Sequence, residues 1–135
     1  MKILFISSEV TPFAQTGGMA DVSGALPSAL MQLGHQVLVV MPYYRQVREG
    51  DFNLTADNEI ISANVSNRPV LGTTLSGVVP GGAPIVFLDC PEFFDREGIY
   101  ELTFSDDWNR LTFVERRESL AGSRYRYVQR TEGER

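Results

Sequence analysis

The feature of this chain most suited to chemistry is the pair Gly17-Gly18, in a loop that also holds Pro12 and Thr16. Two adjacent glycines let a backbone approach a ligand without Cβ clashes. If a helix opens directly after them, its first amides point the same way and favour an anion such as a phosphate. A Gly-Gly loop of this kind also makes an ordinary turn, so the surrounding elements decide its meaning. Lys2 to Ser7 is a short apolar, β-branched run that reads as a buried parallel strand. Met19 to Leu33 has helical apolar spacing, with Val22, Leu26, Ala29, Leu30 and Leu33 as an expected core-facing stripe. Strand, glycine loop and helix in that order are the first half of a βαβ unit. The loop then lies beyond the carboxyl end of the strand, where open α/β sheets bind ligands.

The chain has 135 residues, enough for one domain with a core. Its hydrophobic fraction of 43% and charged fraction of 21% are those of a soluble globular protein. A net charge of −5 argues against general affinity for nucleic acid or anionic membrane. No apolar run approaches a membrane span, and Ser7, Ser8 and Glu9 end the first one too early for a signal peptide. The single cysteine, Cys90, excludes an internal disulfide, reads as a small buried hydrophobe and fits a reducing, cytoplasmic setting.

Pro27 would clash with the Ser23 carbonyl in a regular helix. Either the helix kinks there, or a loose turn precedes a regular helix beginning near Gly24. Gly34 suits a left-handed cap, and His35 reads as a polar residue of the connection rather than a catalytic one. Gln36 to Met41 is a second strand, continuously apolar and expected to be buried on both faces. Its tip, MPYYRQ, has no acid for a ribose, and the first loop lacks G-x-G-x-x-G, so dinucleotide binding of the NAD type is excluded. Arg45 to Asn58 reads as loop, and Ile60 to Val65, Val70 to Val79 and Ile85 to Leu88 as strands. Pro80-Gly81-Gly82 suits a type II turn, which makes Val70 to Leu88 a hairpin. Asp89 either caps the following turn or points at a ligand. Glu92 to Tyr100 reads as an aromatic, charged surface loop. Ser105 could cap a helix carrying Asp106, Asp107, Trp108, Leu111 and Val114 or Glu115, ending at Gly122. Residues 115–135, rich in Arg and Glu, read as a solvated or frayed tail.

With these residues in hand, the chain resembles the amino-terminal end of bacterial glycogen synthases and plant starch synthases, which are retaining glucosyltransferases that use ADP-glucose. The resemblance rests on ILFISSEVTPFAQTGGMADVSGALPSALMQLGHQVLVVMPYY from Ile3 to Tyr44, on FLDCPEFFDREGIY from Phe87 to Tyr100, and more weakly on DDWNR from Asp106 to Arg110. It runs to about Val114. The resemblance implies an α/β fold: a partial Rossmann-like first domain of a two-domain, GT-B-type glycosyltransferase, with a parallel sheet and an inserted β-hairpin. Residues 1–114 would be a truncated synthase segment, and residues 115–135 an appendage outside the family.

The resemblance also implies partners, namely ADP-glucose and an α-1,4-glucan, with a companion chain for the missing second domain. No cofactor or metal is implied. The family's signature is Lys-x-Gly-Gly, whose lysine contacts the diphosphate; Gln15 stands there instead, a donor without charge. Gly17 and Gly18 keep their loop amides, Asp21 would lie near the glucosyl group, and Phe94 stands where the family often has a tyrosine. No matched carboxylates and no base held by a second group are present, and the family's active-site histidine lies beyond the matching part, so no catalytic residue is assigned. The expectation is a fragment of a glucan synthase, inactive alone. The alternative is a non-catalytic glucan- or partner-binding module presenting Tyr43, Tyr44, Phe93, Phe94 and Tyr100.

Overall fold

The computed structural model describes residues 1–65, 67–96 and 98–99, and beyond them two strands at 112–119 and 122–129. The chain divides into two compact units, Met1–Ile99 and Tyr100–Arg135. In the first, β1 (Lys2–Ile6), α1 (Gly18–Gln32) and β2 (Gln36–Pro42) make the expected βαβ unit. The short helix α2 (Arg45–Arg48) follows, then β3 (Thr55–Val65), β4 (Arg68–Val78), β5 (Pro84–Asp89) and the short helix α3 (Pro91–Phe94). The sheet order is β1-β2-β5-β4-β3. β1, β2 and β5 are parallel, while β3 and β4 form an antiparallel hairpin at the edge.

Local chemistry explains the joints. Gly34 has φ +85°, and the bonds Gly34 N to Met31 O (2.9 Å) and His35 N to Leu30 O (3.2 Å) close α1 in a Schellman motif. At the β4–β5 reversal Gly81 has φ +97° and Gly82 N donates to Val79 O at 2.9 Å, a type II turn with Pro80 leading. α1 continues through Pro27, which is buried, so the helix is regular well before Gly24. The segment 45–58, expected to be loop, contains α2 and the start of β3.

The sidedness of the sheet departs from expectation. Register places Ile3, Phe5, Val37, Val39, Met41, Ile85 and Phe87 on one face, and the last five are buried. On the other face Leu4, Ile6 and Leu38 are exposed. β1 and β2 are therefore not buried on both faces. α1 likewise turns inward its small residues, Ala20, Ser23, Pro27 and Ser28, while Val22, Leu26 and Leu33 face solvent. Small residues let the helix come close. A Cβ on Gly24 would lie 2.9 Å from the Thr11 carbonyl oxygen, which cannot yield without moving the loop. We expect Gly24→Ala to lower stability by about 1 kcal/mol in urea unfolding, overpacking outweighing alanine's better helix propensity.

In the second unit β6 (Thr112–Ser119) and β7 (Gly122–Gln129) pair antiparallel, with Glu115 opposite Arg126 in register. This corrects two readings. Val114 and Gly122 lie in strands and not in a helix, and residues 115–119 and 122–129 are paired in those strands. The runs Thr112-Phe113-Val114 and Tyr125 to Val128 carry the β-branched and aromatic residues that favour strand. The expected helix start from Ser105 to Leu111 lies outside the described residues.

Candidate functional site

β1, β2 and β5 run parallel, so the segments after each emerge at one edge of the sheet. The loop after β1 is the most elaborate. Val10 and Ala14 exchange backbone bonds of 3.1 Å, and Thr11 N donates to Ala20 O at 3.1 Å, tying the loop to the first turn of α1. Phe13 anchors it from below: its ring lies 5.0 Å from that of Phe87 and 4.9 Å from that of Phe52. Gln46 Nε2 donates to Phe13 O at 3.2 Å, joining α2 to the same loop. Ser7 Oγ donates to Glu9 O at 2.7 Å and lies 3.0 Å from Ser23 Oγ, so the strand exit and the helix share one polar contact.

Glu9 is the residue that reading the sequence for chemistry passes over. It is fully buried, yet its carboxylate accepts bonds from Thr16 N at 2.9 Å, from Gly17 N at 3.3 Å and from the Thr16 hydroxyl. An internal carboxylate therefore already occupies two loop amides that the glycine motif offers to an anion. Electrostatically this is the arrangement expected at a helix start, with negative charge against amide donors. The available signal was an acid closing an apolar strand eight residues ahead of the N-cap glycine. Gly17 itself is extended (φ −158°) and needs no glycine for its conformation. Gly18 has nothing within 4 Å of the position a Cβ would take. Among the described residues no hydrogen bond to the Gly18 amide is seen.

Gln15 and Asp21 come together in front of this loop. Asp21 Oδ1 accepts from Gln15 Nε2 at 3.2 Å and from Thr11 Oγ1 at 3.1 Å, and both Gln15 and Asp21 are exposed. Thus Gln15, Gly17, Gly18 and Asp21 form one cluster. Phe94 is on α3 after β5, half-buried, with its ring 6.0 Å from Tyr44 and 6.2 Å from Phe93. It shares the sheet edge with the loop, but among the described residues no hydrogen bond or ring contact joins the two.

The rest of this edge is built from ion pairs. Asp89 neither caps α3 nor stands free: Arg48 Nη2 lies 2.9 Å from its Oδ1, and Arg48 also stacks over Tyr43. Arg45 Nε lies 2.9 Å from Asp95 Oδ1, and that hydrogen bond holds the exposed Asp95 carboxyl below the usual carboxylate range. The Arg68 guanidinium pairs with Glu92, whose hydrogen bond raises it above its ordinary value. Cys90 is buried, as expected of a small hydrophobe. Segment 92–100, expected to be surface loop, instead starts inside α3 and buries Ile99. Tyr43 and Tyr44 are buried too, which removes them from the list of exposed aromatics; Tyr100 lies outside the described residues. Among the described residues no group of His, Cys, Asp and Glu is placed to hold a metal ion, and no helix is long and apolar enough to cross a membrane.

With a parallel βαβ unit, a glycine loop at its carboxyl edge and an edge hairpin in place, comparison with known proteins is decisive. A family model described as the starch synthase catalytic domain matches residues 2–123. The chain belongs to that family. It is 41% identical over 106 residues to a glycogen synthase of Syntrophotalea carbinolica, covering 78% of this chain and 22% of that one. It is 40% identical over 119 residues to a glycogen synthase of Moorella thermoacetica, covering 84% and 22%. Among solved structures, the catalytic domain of starch synthase IV from Arabidopsis thaliana, bound to ADP and acarbose, superposes with a TM-score of 0.66. That match has 26% identity and covers 74% of this chain and 21% of that one. The fold is thus the amino-terminal part of a GT-B-type glycosyltransferase, and the chain spans between a fifth and a quarter of the length of these relatives.

Proposed function

We propose that this chain supplies the first-domain wall of an ADP-glucose-dependent α-1,4-glucan synthase, and that these 135 residues do not turn over by themselves. The observation carrying this reading is the Gln15–Asp21 cluster, exposed beside Gly18 at the carboxyl edge of three parallel strands. Neither the backbone at Gly17 nor packing at Gly18 calls for glycine, so close approach of an outside group is a sufficient reason for the pair. In this reading the Gly18 amide and Gln15 Nε2 face the diphosphate, Asp21 accepts from a sugar hydroxyl, and Phe94 offers a ring face. Glu9 holds the loop in shape but does not touch the ligand. Retaining glucosyl transfer requires donor and acceptor to be oriented between two walls and shielded from water. The partner we propose is therefore a polypeptide carrying the remaining synthase segment. The lone unpaired Cys90 favours a cytoplasmic setting for it.

Calorimetric titration with ADP and with maltooligosaccharide, beside an assay of glucan growth, tests this. We expect weak ADP binding and no incorporation; incorporation by the purified chain would overturn the claim of inactivity. Gln15→Lys restores a cation and is expected to tighten ADP binding about tenfold, roughly 1.4 kcal/mol, with a steeper salt dependence. Gly18→Ala is expected to weaken ADP binding while leaving the urea midpoint unchanged. If neither substitution moves ADP affinity, the loop is not a diphosphate contact.

A further inference from the structure

We propose that Arg45 is a positioning residue: by gripping Asp95 twice it fixes the end of α3, and so the direction in which the Phe94 ring faces a ligand. The inference rests on the reading of Phe94 as a ligand contact and adds the residue that aims it. α3 has four residues, far fewer than the roughly 12 an isolated helix needs to persist in water. It holds only the bonds of a single turn: Phe93 N and Phe94 N both donate to Cys90 O at 3.0 Å, and Asp95 N to Pro91 O at 3.0 Å. No side-chain hydrogen bond caps its start. Asp95 then leaves helical geometry (φ −83°, ψ 75°), so the carbonyls at this end have no continuing helix to bond to. The direction of Phe94 has to be imposed from outside α3.

Arg45, the first residue of α2, supplies that constraint. Its Nε donates to Asp95 Oδ1 and its Nη2 to Asp95 O, both at 2.9 Å. The two bonds reach the side chain and the main chain of one residue, so the guanidinium plane fixes the backbone directly after Phe94 and not merely a carboxylate. A rigid fork of donors can do this, whereas the ammonium of a lysine is a point charge on a flexible stem. The preceding residue completes the grip, for the Tyr44 ring stands 6.0 Å from that of Phe94 at 82°. Tyr44 thus bears on Phe94 and Arg45 on Asp95, two consecutive residues against two. The other end of α3 is held independently, where Arg68 pairs with Glu92 and lies 5.9 Å over the Phe93 ring. The Arg45 and Asp95 side chains are 37% and 42% exposed, so their pairing adds little to global stability. Its consequence is local: the orientation of a ring that is itself half-buried.

The test labels the full chain with fluorophenylalanine and follows it by fluorine NMR during titration with maltooligosaccharide. Phe94→Ala identifies the Phe94 signal among the eight phenylalanines, and the ring current of Tyr44 makes that signal sensitive to the ring's orientation. Arg45→Lys keeps the charge and loses the fork. It is expected to move the Phe94 signal, to weaken saccharide binding about fivefold and to leave the urea midpoint unchanged. Asp95→Asn keeps both acceptor oxygens and is expected to leave signal and affinity near those of the unaltered chain. Phe94→Ala is expected to weaken binding about tenfold, the scale of one aromatic contact, and Arg45→Lys to add nothing in that background. A Phe94 signal unmoved in Arg45→Lys overturns the positioning role whatever the saccharide does. A loss from Arg45→Lys that persists in the Phe94→Ala background overturns it too, since Arg45 would then act by another route. Unchanged saccharide binding by Phe94→Ala overturns the reading on which the proposal rests, and a signal still moved by Arg45→Lys marks that failure apart from the first.

Discussion

Replacing Glu9 by glutamine is expected to lower the unfolding free energy of the Met1–Ile99 unit by about 2–3 kcal/mol. The side chain is fully buried and its carboxylate gathers the Thr16 amide, the Gly17 amide and the Thr16 hydroxyl. Both oxygens accept from donors that converge on them. Glutamine has nearly the same shape but turns one acceptor into an NH2 group, which must then face a donor. The cost combines the lost charge-assisted bonds, each worth roughly 1.5–3 kcal/mol, with a mismatched polar contact, and is partly offset because a neutral amide is easier to bury. Thr16 is exposed and Gly17 only half-buried, so water can reach the released donors, which keeps the effect from growing larger. For a unit of this size the change corresponds to a fall in Tm of roughly 10–20 °C. Calorimetry and urea unfolding monitored by near-UV circular dichroism measure it. A change below about 0.5 kcal/mol would mean that the carboxylate is solvated and the loop shaped by something else. Because Glu9 fixes the amides beside Gly18, the variant is also expected to bind ADP less well at a temperature where it is still folded.

The parts of the fold legible in the sequence are those set by neighbouring residues. The first βαβ unit follows from a switch of apolar period, the end of α1 from Gly34, and the β4–β5 turn from Pro80-Gly81. What was not legible depends on residues distant along the chain. Apolar periodicity correctly marks Val22, Leu26 and Leu33 as one side of α1, but burial depends on what lies opposite. In this unit the side with a neighbour is the one made of Ala20, Ser23, Pro27 and Ser28. The same reasoning holds for Leu4 and Leu38 on the strands. Asp89 was read as a cap or a ligand contact because Arg48, its partner 41 positions earlier, carries no sequence signal of the pairing. At the site, the glycine pair and its flanking Gln15 and Asp21 stand out as a pattern. Glu9 does not, because a carboxylate acquires its role only when folding brings the loop amides around it.

The second large effect is expected at Phe87. Its ring is fully buried in β5, 5.0 Å from Phe13 in the glycine loop and 6.0 Å from Tyr43 after β2, both edge-on. Phe87→Ala removes the largest fully buried side chain among the described residues and leaves a void under two loops at once, at a cost of about 3–5 kcal/mol. That is a large share of the stability of a domain this small. Phe87→Leu refills most of the volume and should recover more than half of the loss while still abolishing the ring contacts. A double-mutant cycle with Phe13→Ala isolates the ring pair, and a coupling of about 0.5–1.5 kcal/mol is expected. The cycle also bears on function. Phe13 carries the loop that presents Gln15 and Gly18, so the aromatic contact is the route by which the sheet fixes the loop's height above its edge. If Phe87→Leu keeps most of the stability but weakens ADP binding, the ring pair positions the loop. If stability and ADP affinity recover in parallel, Phe87 acts through bulk packing alone and the loop is held by Glu9 and the Thr11–Ala20 bond.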